Sequence, residues 1–166
     1  MLDLDVEEKT TQRGLIERMT YHLDQALGQS EPARKFLKEA WSFLQRVRVM
    51  DSGIEASSRK DNNDEILLDQ FAFSLSSIIE RICRTESDSS LFNAHYDGIL
   101  LLIDESDNCS FQLNLGSFIK LLLERLQRRG CNQVLVGLAG LPELRSKLYT
   151  SHPSSVRIFQ ECFWDS

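Results

Sequence analysis

Asp97-Gly-Ile-Leu-Leu-Leu-Ile-Asp-Glu-Ser-Asp107 is the stretch that decides the fold. Five consecutive apolar residues, Ile99 to Ile103, fall far short of a membrane span. They are too continuous for a strand with one wet face, and acids end them. They fit a strand covered on both faces, as in a parallel α/β sheet. Downstream, Leu115, Phe118, Ile119, Leu122 and Leu126 share one face of a helix. Arg125, Arg128 and Arg129 put cations at its negative end, and Gly130 supplies the cap. Val134-Leu-Val-Gly-Leu138 reads as a second buried strand, and Pro142 opens a short helix through about Tyr149. Strand, helix, strand, helix in this rhythm predicts βαβ units with right-handed crossovers.

Working back toward the amino end, Leu2, Leu4 and Val6 alternate with Asp3 and Asp5. That period of two predicts a half-buried strand at a sheet edge. From about Glu7 the period changes. Leu15, Met19, Leu23, Ala26 and Leu27 form a helical stripe ended by Gly28. Pro32 suits the first turn of a second helix carrying Phe36, Leu37, Ala40, Phe43, Leu44 and Val47. Residues 51 to 64 read as a polar loop, with room for a short strand over Val47 to Ile54. Helical spacing resumes at Leu68, Phe71, Leu75, Ile78, Ile79 and Ile82, before a second polar stretch over Thr85 to Ser90. Trp41 reads as a packing residue. No internal repeat is present.

Composition sets further bounds. A chain of 166 residues makes one domain, and 42% hydrophobic with 27% charged residues excludes wholesale disorder. Twenty-five acidic against 19 basic residues give a net charge of −6, which argues against a general nucleic-acid or membrane-surface binder. The cluster Arg125, Arg128, Arg129 reads first as a solvated helix end, with a nucleic-acid contact as the lesser alternative. Asp3, Asp5, Glu7 and Glu8 follow Met1, the opposite of a basic signal-peptide start, so a cytoplasmic location is expected. Cys83, Cys109, Cys131 and Cys162 form no CxxC pair, and His22, His95 and His152 form no HxxxH face. Free thiols, not a disulfide frame or a zinc site, are the expectation.

The chemistry sits at Asp104-Glu105. In open α/β sheets ligands bind beyond the carboxyl ends of the strands, where these acids stand. Phosphoryl transfer needs one carboxylate for a magnesium shell and another to orient attacking water. The alternative is that the pair merely caps the next helix.

Ile99-Leu-Leu-Leu-Ile-Asp-Glu-Ser-Asp107 resembles the Walker B strand of AAA+ P-loop ATPases, of the origin-recognition-like, bacterial and archaeal ATP-binding type. Val134-Leu-Val-Gly-Leu-Ala-Gly-Leu-Pro-Glu-Leu144 resembles that family's following strand and turn. Ser151-His-Pro-Ser-Ser-Val-Arg-Ile-Phe-Gln160 resembles the next segment, where the family often carries an arginine near the nucleotide. The resemblance covers residues 96 to 160 and is only topological over residues 1 to 90. It implies a three-layer, parallel-sheet P-loop core with the Walker B strand at 98–105 and the following strand at 133–139. It implies ATP and Mg2+ as cofactors, Asp104 serving the ion through water and Glu105 polarising the hydrolytic water. Arg157 becomes a candidate for the nucleotide or for a neighbouring subunit, against the plainer reading of a surface arginine paired with an acid. The family's sensor position, usually Asn, Thr or Ser, falls here on Ala139 and Gly140.

None of the eight glycines, at 14, 28, 53, 98, 116, 130, 137 and 140, precedes a lysine, so the sequence contains no GxxxxGK[ST] phosphate cradle. By the resemblance, the chain is expected to be an incomplete core lacking the P-loop strand, the last strand and the lid. In the family the P-loop strand lies beside the Val134–Leu138 strand. The missing cradle, with Asp104 and Glu105 adding negative charge where a triphosphate would sit, predicts weak ATP binding. An open, apolar edge beside Val134–Leu138 predicts marginal stability and self-association, unless Phe159 to Trp164 folds back over it. Two other readings stay open: a non-catalytic interaction module descended from an ATPase, and a metal-dependent hydrolase using Asp104, Glu105 and Asp107.

Overall fold

A computed structural model describes residues 1–44, 60–83, 91–92 and 95–162. Its centre is a three-stranded parallel sheet in the order β1 (Leu2–Asp5), β2 (Ile99–Asp104), β3 (Val134–Leu138). The register sets Leu4 beside Ile103 and Asp5 beside Asp104, then Leu101 beside Val136 and Ile103 beside Leu138. The chain is therefore α/β, and the N-terminal strand lies at the edge its alternation predicts. The two strands expected at 98–105 and 133–139 form one residue inside those bounds at each end.

Between β1 and β2 run α1 (Gln12–Leu27), α2 (Glu31–Ala40) and α3 (Lys60–Ile82). Each start has a local cause. Thr11 caps α1 by accepting from the Gly14 N–H at 3.1 Å, and Ser30 caps α2 by accepting from the Ala33 N–H at 3.2 Å, with Pro32 in the first turn. The expected stripe of α1 is buried at Leu15, Met19, Leu23 and Leu27, while Ala26 is exposed. In α3 the whole expected stripe, Leu68 to Ile82, is buried. The polar stretch read as a loop to residue 64 is helical from Lys60. Acids at 61, 64 and 65 suit the positive end of a helix dipole, so polarity there marks a start and not a gap. The short strand allowed over Val47 to Ile54, and the terminal aromatics Phe163 and Trp164, lie outside the described residues.

From β2 to β3 the chain crosses through α4 (Leu115–Arg128), whose Phe118, Ile119, Leu122 and Leu126 are buried. Gly130, at φ 73°, ends it in the left-handed conformation that a side chain resists. After β3 comes α5 (Glu143–Ser151), which packs on α4 and is followed by a 3-10 turn, Ser155–Ile158.

Both crossovers step in the same direction along the sheet, so right-handedness puts both on one face. That face, Leu4, Ile99, Leu101 and Ile103, joins one continuous core with the helices. The opposite face differs from the expectation of a strand covered twice. There Leu100 and Leu102 are half-buried and Leu135 is 67% exposed among the described residues.

Two further expectations resolve in detail. Trp41 is a packing residue, stacked on Phe71 at 5.9 Å with its Nε1–H donating to Asp24 Oδ1 at 2.8 Å. Arg125 is not a solvated helix end. Its guanidinium pairs with Glu65 at 3.3 Å and with Asp69, tying α4 to α3, while Arg129 lies 5.0 Å over the Phe73 ring. No helix among the described residues is long and apolar enough to cross a membrane.

Candidate functional site

Asp104 is the last residue of β2, and its carboxylate is exposed beyond the sheet. Oδ1 accepts from the Glu105 N–H at 2.7 Å. Glu105 itself sits at φ 48°, ψ 31°, a left-handed conformation that non-glycine residues adopt at a cost. Its Oε2 accepts from the Asn108 Nδ2–H at 3.1 Å, and it makes no side-chain cap for the 3-10 turn it precedes. The structure therefore does not assign Glu105 the capping role.

The turn after β2 is fastened to the end of β3. The Ser106 N–H donates to the Ala139 carbonyl and the Ala139 N–H donates to the Ile103 carbonyl, both at 2.9 Å. The buried Ser106 hydroxyl donates to the Ile103 carbonyl at 2.8 Å. Ala139, at the sensor position of the resemblance, thus meets this turn through its backbone alone. Asp107 Oδ1 accepts from the Leu141 N–H at 3.1 Å, and the Lys147 ammonium donates to the carbonyls of Asp107 and Cys109. Asp107 is consequently a bridge between two loops.

A cleft of about 1180 Å3 opens at the carboxyl ends of β1 and β2. The segment after β1 (Glu7 to Gln12) forms one wall, and Glu105 with Asp107 to Leu113 forms the other. Asp104 does not line it. Arg157 is exposed in the 3-10 turn and has no ion-pair partner among the described residues. Among the described residues no hydrogen bond or ion pair joins it to Asp104 or Glu105. Its turn is held by the buried Ser155 hydroxyl, within hydrogen-bond reach of the Leu148 and His152 carbonyls at 2.9 and 2.7 Å.

Among the described residues no three His, Cys, Asp or Glu side chains gather as a metal cage. The donor set at the end of β2 is one carboxylate with an oxygen already accepting a hydrogen bond. That fits a magnesium ion held through water, since magnesium keeps several waters and takes further oxygens from a phosphate. It does not fit a resident cation. Burial pushes the thiols of Cys83, Cys109 and Cys131 above their ordinary range, with Lys147 pulling weakly the other way at Cys109. Such thiols are poor nucleophiles at neutral pH.

Sequence spacing locates Asp104 and Glu105 because they are adjacent. Ser106 and Lys147, which hold the turn, carried no sequence signal, since their partners lie far along the chain or on the backbone. No family model matches the chain, and no curated protein or solved structure matches it.

Proposed function

We propose that this chain is part of the core of an AAA+ P-loop ATPase, without its phosphate-binding segment, with Asp104 and Glu105 as its Walker B pair. The observation that carries the reading is the placement of two adjacent carboxylates at the carboxyl end of the central strand of a parallel sheet. Magnesium bound with ATP supplies charge neutralisation at the phosphate oxygens. Asp104 would hold the ion's water shell through the oxygen that does not accept from the Glu105 N–H. Glu105, turned off the strand by its left-handed backbone, accepts a hydrogen bond from the attacking water and orients it. Arg157, exposed and unpaired among the described residues, is the candidate cation toward nucleotide or a neighbouring subunit. The phosphate cradle is the part the sequence lacks. That absence favours a second reading, a non-catalytic interaction module of the same descent.

The test is the chain joined ahead of Met1 to a GxxxxGK[ST] segment from a complete ATPase of this type, its fold checked by circular dichroism. Mg·ATP binding is expected in the joined chain and weak or absent in the 166-residue chain. Glu105→Gln should keep binding and lose about 100-fold in turnover, the usual scale for removing a general base. Asp104→Asn should weaken both. Unchanged turnover in the Glu105 variant would reject its role, and a folded joined chain without binding would leave the interaction module as the better account.

A further inference from the structure

The two outer edges of the sheet are unlike each other. β1 carries acids at Asp3 and Asp5, the kind of residue that blunts an edge against pairing. β3 carries none: from Gln133 to Leu141 the sequence has no charge and no proline. Its edge polarity follows from the hydrogen bonds. The Ile99 N–H donates to the Gln133 carbonyl at 2.8 Å, and the Ala139 N–H donates to the Ile103 carbonyl. Odd-numbered residues of β3 therefore turn their backbone groups toward β2. Val134, Val136 and Leu138 turn theirs outward, with no strand beside them among the described residues.

We propose that this edge pairs with the same edge of a second copy, antiparallel and centred on Val136, making one continuous sheet across a two-fold axis. The register is self-complementary. Val136 faces Val136 of the second copy, and Val134 faces Leu138, in pairs that exchange both backbone hydrogen bonds. Leu135 then lies opposite Gly137 in the closer, non-hydrogen-bonded pairs. Leu135 is 67% exposed in the single chain, and Gly137 leaves the space it needs. A Cβ at Gly137 would sit 3.0 Å from Leu102 Cδ1, so Leu135 of one copy would rest against Leu102 of the other. This arrangement covers the exposed Leu135 of the outer face as well as the edge of β3 that has no strand beside it among the described residues. It also closes, because the edges left outside are the acidic β1 strands.

The inference concerns the 166-residue chain and does not depend on the ATPase reading. Light scattering coupled to gel filtration over a concentration series should show a dimer dissociating on dilution. Leu135→Lys replaces an exposed side chain in each copy and should weaken the dimer about 100-fold, tenfold per lost Leu–Gly contact, with melting otherwise little changed. Val136→Pro removes an N–H that points away from β2, a place where proline is tolerated, and should also give monomers. In the dimer the amides of Val134, Val136 and Leu138 should gain hydrogen-exchange protection, while those of Leu135 and Gly137 are protected in either state. A monomer at all concentrations, an open series of larger species, or a dimer indifferent to Leu135→Lys would each overturn the proposal.

Discussion

Gly116, in the first turn of α4, gives two opposite answers to the substitution Gly116→Ala. Helix propensity alone favours alanine by about 1 kcal/mol. The structure opposes it. A Cβ at this position would stand 2.7 Å from Ser155 Oγ, 3.0 Å from Ser151 Oγ and 3.1 Å from the Leu148 carbonyl oxygen. None of these atoms gives way freely. Ser155 Oγ lies against the Leu148 and His152 carbonyls, while Ser151 Oγ donates to Asn114 Oδ1 at 2.6 Å and accepts from the Ser117 N–H at 3.0 Å. Overpacking of a tight contact costs about 1–3 kcal/mol, and displacing one such buried hydroxyl adds about 1 kcal/mol. Subtracting the propensity gain leaves a net loss of about 1–3 kcal/mol, read by urea unfolding as a lower midpoint at unchanged slope. Gly14→Ala is the internal control: its Cβ would meet only Thr11 Oγ1, at an ordinary 3.4 Å, so that variant should be neutral or up to about 1 kcal/mol more stable. A Gly116→Ala chain as stable as the parent would refute the claim that α5 and its 3-10 turn seat on α4 through this glycine.

Two further outcomes test the helical layer. Burial pushes the Asp24 carboxyl above its ordinary value, with the Trp41 indole pulling the other way. A raised folded value favours folding at low pH, and that contribution is lost as pH rises through it. Asp24→Asn keeps an acceptor for Trp41 and removes the charge, so its stability relative to the parent should improve from pH 3 to pH 7; a flat difference in thermal melts would contradict the burial argument. Arg125→Met, which cuts the ties to Glu65 and Asp69, should cost about 1–2 kcal/mol in urea unfolding, whereas exposed Arg128→Ala should stay within about 0.5 kcal/mol; equal effects would return the arginine cluster to a solvated helix end.

What the sequence made legible is what repeats locally. The apolar run at Ile99–Ile103, the stripe from Leu68 to Ile82 and the alternation at Leu2–Val6 are each a regular spacing within one element, and each element forms where expected. The exposed side of Leu135 was hidden, because a continuous apolar strand reads as covered whether or not anything lies over its second face. Arg125 misled for a related reason: its acids lie on α3, some 56 and 60 positions away. At the candidate site Asp104 and Glu105 announce themselves by following a buried strand. The Asp107–Leu141 and Lys147 contacts, which set where that turn sits, span 34 to 40 positions and leave no local pattern.

The backbone at position 105 has a consequence for how this sequence can drift. A glycine there would occupy the left-handed region freely, while glutamate bears about 1 kcal/mol of conformational cost that one hydrogen bond from Asn108 on an exposed turn offsets only in part. Folding alone thus rewards erasing the carboxylate. Among random variants ranked by thermal robustness, replacements such as Glu105→Gly would rise, and the acid would survive only where something other than stability is being chosen. The same turn therefore separates two kinds of selection, one acting on the fold and one on what the exposed carboxylate does.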